Sequence, residues 1–470
     1  MNIKEIIKSV KLPAKASVFY LGSSIAGKLV SVAVTPFFTR LLSSEEYGEF
    51  AEYMSLVGGV TLICSALTSG SAVFKGLRDY KDKKQTYLSG IFQVNLAFSL
   101  IICALLFAFS SFLGIKRALM IPLTLQILCD GIVALALSNS KFNYDYKTVT
   151  ALTVVGATLP SVISVAVIMI FGGGYLVRVY SLLLVSFFTA LYSLRKLLKR
   201  GGVNRNDIKY IMKNSLPLLP HGISNALAIQ ADKLILCAIM GTAALAKYSV
   251  VYSLGVAIQF TVTAIGSALS PWIIRRLDLG DRAEIRGLIF PMLIGYCALS
   301  LCLIAVGPEV MLILAPSNYS DAFSALTPIA LSTPFLFISF VCTVGIVYSA
   351  RSWYSAIISL ISSFVCVALN SILIGSLGYL GAGLATLAYH ILSAVMGVVV
   401  LIKLGLGDIL YTRKMLLPCL CSGGLGVLLF ILRDNIFARG AVLIIPGTML
   451  LYCLFKAKEL VLEKRAKKLS

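Results

Sequence analysis

The chain has 470 residues, of which 59% are hydrophobic and only 13% are charged, and its net charge is +21. A soluble domain of this length would carry about twice that fraction of charged residues, so the composition excludes an ordinary soluble protein. The basic residues do not gather on one polar region, as they would in a nucleic-acid-binding domain, so a nucleic-acid partner is excluded as well.

Long apolar runs recur along the whole sequence. A bilayer core needs about 20 apolar residues per helix, and runs of that length predict an all-α integral membrane fold with about fourteen transmembrane helices. The predicted spans are 16–38, 50–73, 86–113, 118–140, 149–171, 175–194, 215–240, 249–272, 287–314, 323–350, 354–376, 379–404, 415–432 and 438–456.

The basic residues alternate between the connections of these helices. Most of the 41 lysines and arginines fall in the two terminal segments and in every second connection. The connection after the first helix is instead acidic, with Glu45, Glu46, Glu49 and Glu52. Because basic connections stay in the cytoplasm, this pattern predicts a multi-pass protein of the cell inner membrane with both the N- and the C-terminus cytoplasmic.

Two short matches indicate an internal repeat. The segment Gly48–Leu56 (GEFAEYMSL) is similar to Ala246–Leu254 (AKYSVVYSL), and the tripeptide GYL begins at both Gly174 and Gly378. The two matches have nearly the same separation, which is typical of transporters built from parallel repeats. We therefore predict an N-terminal six-helix lobe, a C-terminal six-helix lobe, and helices 13 and 14 with a basic tail, at 1–197, 198–404 and 405–470.

Nothing in the sequence predicts catalysis. The outward connections are short, whereas membrane polymerases and ligases of lipid-linked sugars need a catalytic surface, and there is no glycine-rich phosphate-binding loop. The cysteines lie singly in apolar runs, and the one close pair, Cys419 and Cys421, has no histidine that would complete a zinc pattern. We predict that the protein is not an enzyme and uses no metal and no cofactor.

Ionisable residues within the predicted spans mark candidate functional positions. Such a group costs about 2.5–3.5 kcal/mol on insertion scales, so it needs a partner or a water-filled cavity. The candidates are Lys28 in the first helix, Asp130 in the fourth, and Asp232 with Lys233 in the seventh. We predict that Asp130, Asp232 and Lys233 are buried charges with a part in energy coupling, although mutual pairing is the favoured explanation for the last two.

Polar residues at helical spacing form a stripe along three of the predicted helices. Each stripe fits either a substrate-binding cavity or a dry contact between helices, since small polar residues serve both. A full charge near the middle of the first helix favours a cavity there. The residues predicted to line it are Tyr20, Ser24, Lys28 and Ser31 in the first helix, His221, Asn225 and Asp232 in the seventh, and Tyr252 and Gln259 in the eighth.

Individual residues keep two interpretations. Lys28 either contacts the substrate or neutralises a buried carboxylate such as Asp130 or Asp232. His221 and His390 are either packing residues with satisfied hydrogen bonds or proton carriers. The sequence alone leaves these alternatives open.

Three segments resemble one family of membrane transporters. The run ALNSILIGSLGYLGAGLATLAYH (Ala368–His390) resembles the corner between helices 11 and 12 of polysaccharide flippases. The segments TRLLSSEEYGEF (Thr39–Phe50) and LPLLPHGISNALAIQADKLIL (Leu216–Leu236) resemble that family's first loop and its helix 7. The resemblance covers essentially the whole chain and is to the O-antigen and polysaccharide flippases of the MATE-like exporter superfamily. In the first run the matching residues are Asn370, Gly378, Gly381, Ala382, Ala385 and Thr386.

The resemblance implies a MATE-like fold of two six-helix bundles with two further C-terminal helices. It also implies a function, the movement of undecaprenyl-diphosphate-linked repeat units of lipopolysaccharide O-antigen or another surface polysaccharide across the cytoplasmic membrane by alternating access. The expected partners are this lipid-linked glycan and membrane lipids, with the polysaccharide polymerase and chain-length machinery as candidate protein partners. A wet path between the two halves, with Lys28 on its wall, would accommodate the sugar and the diphosphate.

Two other classes of function remain open at this point. A MATE-type drug/cation antiporter of the same fold would use carboxylates in its N-terminal half, and here only Asp130 could play that part. A purely structural membrane protein would have no use for buried charges, so the sequence disfavours that class.

Overall fold

A computed structural model of the chain describes the backbone of residues 3–68, 70–80, 83–110, 116–197 and 203–449, and side chains from Ala16 onward with a few exceptions. These residues form helices and their connections, with no strand in the described ranges. The helices are α1 (Ile3–Leu41), α2 (Ser44–Leu67), α3 (Gly70–Asp79), α4 (Lys84–Ala108), α5 (Met120–Phe142), α6 (Tyr146–Phe171), α7 (Tyr175–Leu197), α8 (Arg205–Ser215), α9 (Leu219–Met240), α10 (Thr242–Asp278), α11 (Arg282–Leu314), α12 (Leu326–Leu331), α13 (Thr333–Tyr348), α14 (Trp353–Leu377), α15 (Tyr379–Lys403), α16 (Thr412–Ile431) and α17 (Ile436–Met449).

The predicted all-α membrane fold is confirmed. Within the described residues, 13 helical segments are long and apolar enough to cross a membrane, and each overlaps one of the predicted spans. The last predicted span, 438–456, corresponds to the shorter apolar helix α17, and its remaining residues lie outside the described part. Large apolar side chains such as Phe171 (81% exposed), Ile121 (72%) and Leu420 (72%) point outward, which only a lipid environment would favour.

Helix α2 begins earlier than predicted, because the acidic stretch assigned to a loop is helical. Ser43 is the N-cap, its hydroxyl accepts a hydrogen bond from the backbone N–H of Glu46, and the Glu46 carboxylate accepts one from the Ser43 N–H. This capping box starts the helix at Ser44 instead of residue 50. Arg178 of α7 encloses the same corner, with its guanidinium carbon 3.6 Å from the Phe38 ring centre and 3.8 Å from that of Phe50.

Two connections contain helices that the sequence analysis did not predict. The connection after α2 contains α3, and the long connection after α7 contains α8. The predicted span 323–350 is also divided, since α12 ends at Leu331 and α13 begins at Thr333. Pro334 explains this division, because a proline has no N–H to continue the hydrogen bonding of the preceding turn.

Tertiary contacts divide the chain into two compact units, Met1–Leu234 and Ile235–Ser470, so the division falls inside α9. In unit 1, α1 packs mainly on α6, and two apolar cores form among α2, α4, α5 and α7 and around α3 and α8. In unit 2, an apolar core joins α10, α11, α13, α15 and α16. The predicted lobe limits at 197/198 and 404/405 stay predictions.

A charged pair fastens α17 to α11 within unit 2. The Arg439 guanidinium donates hydrogen bonds to both carboxylate oxygens of Glu309, at 2.9 and 2.5 Å, and to the backbone carbonyl of Ala305. The Arg439 side chain is 6% exposed and that of Glu309 is 40% exposed. Val442 and Leu443 of α17 pack on the neighbouring apolar cluster.

We expect Arg439→Gln to lower the free energy of unfolding by about 1–3 kcal/mol, since it removes the charged hydrogen bonds that the buried guanidinium donates to Glu309 and leaves that carboxylate without its partner. This expected loss of stability is smaller than that for a fully buried ion pair, because Glu309 is partly exposed. Thermal unfolding of the purified protein in detergent measures it. The matched control is Arg433→Gln, which breaks a pair with side chains 45% and 93% exposed and should change stability by less than about 0.5 kcal/mol. Equal losses for both variants would contradict a structural role for the pair.

The corner between α14 and α15 depends on three glycines with different neighbours. Gly378 adopts a positive φ of 57°, which permits the tight turn. A Cβ on Gly381 would lie 2.2 Å from the carbonyl oxygen of Leu373, and one on Gly383 would lie 2.8 Å from that of Ala325. The glycine-rich motif noted in the sequence therefore lets the backbones of Leu373 and Ala325 approach the first turns of α15 closely.

Candidate functional site

The polar stripe of the first helix lies on one continuous α-helix. Lys28 falls near the middle of the span Ala16–Leu41, and the lysine and Ser31 are exposed, while Tyr20 and Ser24 are half-buried. The adjoining face of α1 is the packed one, since a Cβ on Gly27 would lie 3.1 Å from the Cβ of Ala157 in α6. Helix packing thus leaves Lys28 and Ser31 outside the α1–α6 contact.

The polar residues of α9 are held by local hydrogen bonds and by close packing on α2. The Asp232 side chain is buried, and its carboxylate accepts a hydrogen bond of 2.8 Å from the backbone N–H of Lys233. The Lys233 ammonium donates one of 3.2 Å to Gln230. Gln230 lies against Gly58, where a Cβ would be 2.6 Å from its amide nitrogen. Asn225 is half-buried, and the side chain of His221 lies outside the described part of the structure.

Lys28 and Lys233 share one region of unit 1. The charges of Lys28 and Asp232 both act on the Lys233 ammonium, the first unfavourably and the second favourably. Among the described residues, no ion pair and no hydrogen bond joins Lys28 to Asp130 or Asp232. Two cations therefore repel each other inside the predicted membrane. An anion bound near both would be stabilised.

Asp130 lies in a separate polar group formed by α5 and α7. The Gln126 amide donates hydrogen bonds to the Asp130 carboxylate at 2.8 Å and to the Ser186 hydroxyl at 2.7 Å. Gln126 is 1% exposed, and its amide oxygen is buried without a hydrogen-bond partner among the described residues. In the described ranges the carboxylate is supported by neutral donors, and no lysine or arginine lies within ion-pair distance of it.

The two predicted residues of α10 belong to unit 2. The Gln259 amide donates a hydrogen bond of 3.0 Å to the hydroxyl of Ser332, at the division between α12 and α13. The Tyr252 ring is half-buried and lies 5.7 Å from the ring of Tyr248. Gln259 therefore has a structural contact within unit 2, while substrate contact by either residue stays a prediction.

Unit 2 also contains a polar cavity that the sequence analysis did not predict. Its volume is about 90 Å³, and His390 lies on its wall near the middle of α15. The hydroxyls of Ser339 and Ser393 meet at 2.7 Å, and the hydroxyl of Ser355 is buried without a partner among the described residues. Hydroxyl residues one turn apart on a helix, such as Ser339 and Thr343 of α13, were the available signal in the sequence.

The structure thus groups Gln230, Asp232 and Lys233 on α9, where the charge of Lys28 acts on Lys233, and it places Asp130 in a different polar group. Gln230 was missed because an amide in an apolar run carries no charge, and its role depends on Gly58 of a distant helix. Over the described residues, no group of three or more histidine, cysteine or acidic side chains is arranged to hold a metal ion.

Comparison with known protein families shows which family this chain belongs to. A family model described as "Polysaccharide biosynthesis protein" matches residues 37–278, which is about half of the chain. The chain belongs to this family. A sequence search of curated proteins found no match to this chain.

Solved structures show that this polysaccharide biosynthesis protein has the fold of known exporters and flippases. The lipid II flippase MurJ in an inward closed conformation is similar with a TM-score of 0.71 and 13% identity, over 94% of this chain and 100% of MurJ. The inward-facing conformation of a multidrug resistance MATE family transporter of the MOP superfamily gives a TM-score of 0.63 and 14% identity, over 84% and 98%. A MOP superfamily transporter from Pyrococcus furiosus gives 0.52 and 16%, over 84% and 96%.

Proposed function

We propose that this protein is a flippase, not an enzyme, which moves undecaprenyl-diphosphate-linked repeat units of a surface polysaccharide across the cytoplasmic membrane by alternating access. Membership of the polysaccharide biosynthesis family supports a role in glycan assembly, and the MATE and MurJ fold supports transport. In this proposal the partners are the lipid-linked glycan and membrane lipids, with O-antigen as one candidate glycan. Both termini lie in the cytoplasm, as the distribution of basic residues predicts.

The observation that carries the proposal is the exposed cation at Lys28, which has no ion pair with a described residue and whose charge acts on the ammonium of Lys233. A diphosphate carries charge opposite to both lysines, so it would offset their mutual repulsion and satisfy the ammonium groups in a medium of low dielectric constant. The lipid tail of such a substrate needs no polar path. Tyr20, Ser24, Ser31 and Asn225 are the proposed hydroxyl and amide contacts of the sugar.

A drug/cation antiporter is the second candidate, and Asp130 is the observation that favours it. A half-buried carboxylate with neutral hydrogen-bond donors is able to bind a cation or a proton, and in the flippase proposal we assign it to energy coupling. An organic cation would be repelled by Lys28 and Lys233, however, so the charge of unit 1 supports the flippase.

Purified protein in vesicles tests the proposal directly. We expect the protein to give a membrane-impermeant reagent access to a fluorescent undecaprenyl-diphosphate-linked oligosaccharide in the inner leaflet, in vesicles where protein-free controls protect about half of it. The same oligosaccharide on a lipid without the diphosphate should move much more slowly, because it lacks the charge that Lys28 and Lys233 would bind. Equal movement of both lipids would contradict the charge-based site. Dissipation of a pH gradient by organic cations, without glycolipid movement, would establish the antiporter instead.

A further inference from the structure

Helix α8 connects the spanning helix α7 to α9 and is charged along its length. Asn204 and Asp207 form a capping box that starts the helix, and a short 3-10 turn, Leu216–Leu218, leads from it directly into α9. The apolar span of α9 begins at Gly222. The C-terminal end of α8 is therefore within a few residues of the membrane boundary.

One face of α8 is fastened to unit 1 by two reciprocal tyrosine–carboxylate hydrogen bonds. Tyr210 donates from α8 to Asp79 of α3 at 2.5 Å, and Tyr80 donates in the opposite direction to Asp207 at 3.0 Å. The two tyrosine rings pack edge to face with centres 5.2 Å apart. Burial together with the hydrogen bond to Asp79 raises the pKa of Tyr210 to about 12, and the same bond lowers the pKa of Asp79.

Apolar packing fixes the same face of the helix. Ile211 is 1% exposed and fills the space above Gly90 of α4, where a Cβ would lie 2.7 Å from its δ-methyl. Asn214 accepts a hydrogen bond of 2.8 Å from the Lys75 ammonium. These contacts set the rotation of α8 about its axis, so they determine which residues point away from unit 1.

The outward face of α8, continued by Leu216 directly after the helix, combines three apolar side chains with three cations. Ile208, Met212 and Leu216 are spaced by one turn and are 37%, 38% and 47% exposed. The cations flank this apolar line on the adjoining positions and are exposed as well, namely Arg205, Lys209 and Lys213. A helix with this composition at a membrane boundary lies in the interface, with apolar side chains among acyl chains and cations among headgroups.

We propose that the outward face of α8 is a binding surface for anionic phospholipid headgroups. The charge of the face is complementary to anionic lipids, and its apolar line is continuous with the spanning helix α9. Each basic side chain near an anionic surface is worth about fivefold in binding. The proposal rests on the proposed orientation, which directs this face to the cytoplasmic leaflet.

Lipid-attached quenchers test the surface in the reconstituted full chain. A fluorophore is placed at Met212→Cys in a cysteine-free background, in vesicles of phosphatidylcholine and phosphatidylglycerol. We expect quencher carried by phosphatidylglycerol to be about fivefold more effective than quencher carried by phosphatidylcholine. The preference should disappear when Arg205, Lys209 and Lys213 are replaced by Gln. A fluorophore at Asn206→Cys, beside the capped end and away from the apolar line, should respond to aqueous iodide instead.

A charge-matched control separates this surface from the general attraction of a basic protein. Replacement of Lys141, Lys147 and Arg195 by Gln removes three other exposed cations and should leave the lipid preference at residue 212 unchanged. Equal quenching by the two lipids, or equal loss of preference in both triple variants, would overturn the proposal. A fluorophore at residue 212 that neither lipid quencher reaches, and that becomes more protected as the protein density in the vesicles rises, would show that a second copy of the chain covers the face. None of these readings uses transport, so failure of the proposed flippase function is detected separately.

Discussion

Lys28→Ala is expected to lower glycolipid transport severely while the protein remains folded and present at normal abundance. An ammonium about 4 Å from a phosphate charge contributes about 4 kcal/mol at an effective dielectric constant of 20, before desolvation is subtracted, so even a third of that value predicts a loss of about tenfold. Because Lys28 has no ion pair with a described residue, its removal orphans no carboxylate there, and stability should change by less than about 0.5 kcal/mol. The vesicle assay and the melting temperature measure the two effects.

Matched variants distinguish the two interpretations of Lys28. Lys28→Arg keeps the charge and should retain much of the transport. Leu29→Ala alters the adjacent residue, which is 65% exposed on another face, and should transport normally. Normal transport by Lys28→Ala would remove the lysine from the mechanism. A fall in stability that Asp130→Asn or Asp232→Asn reverses would show that Lys28 neutralises a carboxylate.

Gly381→Ala is expected to reduce the amount of folded protein in the membrane more than any surface substitution. The added Cβ would lie 2.2 Å from the Leu373 carbonyl oxygen and 2.4 Å from its carbon, and these are backbone atoms that cannot rotate away. Overpacking of this kind costs about 1–3 kcal/mol or more, so the corner of α14 and α15 should open or the chain should be degraded. Membrane abundance and thermal unfolding in detergent are the measurements.

Gly375→Ala is the matched control, because Gly375 lies near the C-terminal end of α14, on the other side of the corner, and a Cβ there meets nothing within 4 Å. Alanine is the better helix former, so this variant should be as stable as the parent or more stable by about 0.4–1 kcal/mol. If Gly381→Ala were equally well tolerated, the close approach of α15 to Leu373 would not be a requirement of the fold.

The sequence predicted the spanning helices well because their signal is local. A run of apolar residues long enough to cross a bilayer has few other fates, so each described span was expected near its place. The segments assigned wrongly were helices whose many charged residues made them resemble loops. The acidic start of α2 resembled a loop although Ser43 and Glu46 form a cap, and α8 is a short polar helix whose stability depends on Tyr210 and Ile211 docking on other helices.

The candidate site was predicted less completely because its defining contacts are not local. Helical spacing correctly grouped Gln126 with Asp130, whose side chains are hydrogen-bonded one turn apart. The participation of Ser186, sixty residues away in the chain, required the packing of α7 on α5. The same limit applies to Lys28, since no periodicity within α1 indicates that its charge acts on Lys233 of α9.

The glycine motif at the corner of α14 and α15 carries information about the fold that relatives share, but not about the substrate that they transport. The demands met at Gly378 and Gly381 come from backbone atoms of the chain itself, and a sugar has no part in them. Exporters of chemically unrelated glycans would satisfy those demands equally well. Such a motif therefore groups relatives by how they are constructed. In the proposed function, discrimination among glycans would be encoded at positions free of this steric demand, such as the exposed Ser31, where substitution has little effect on folding.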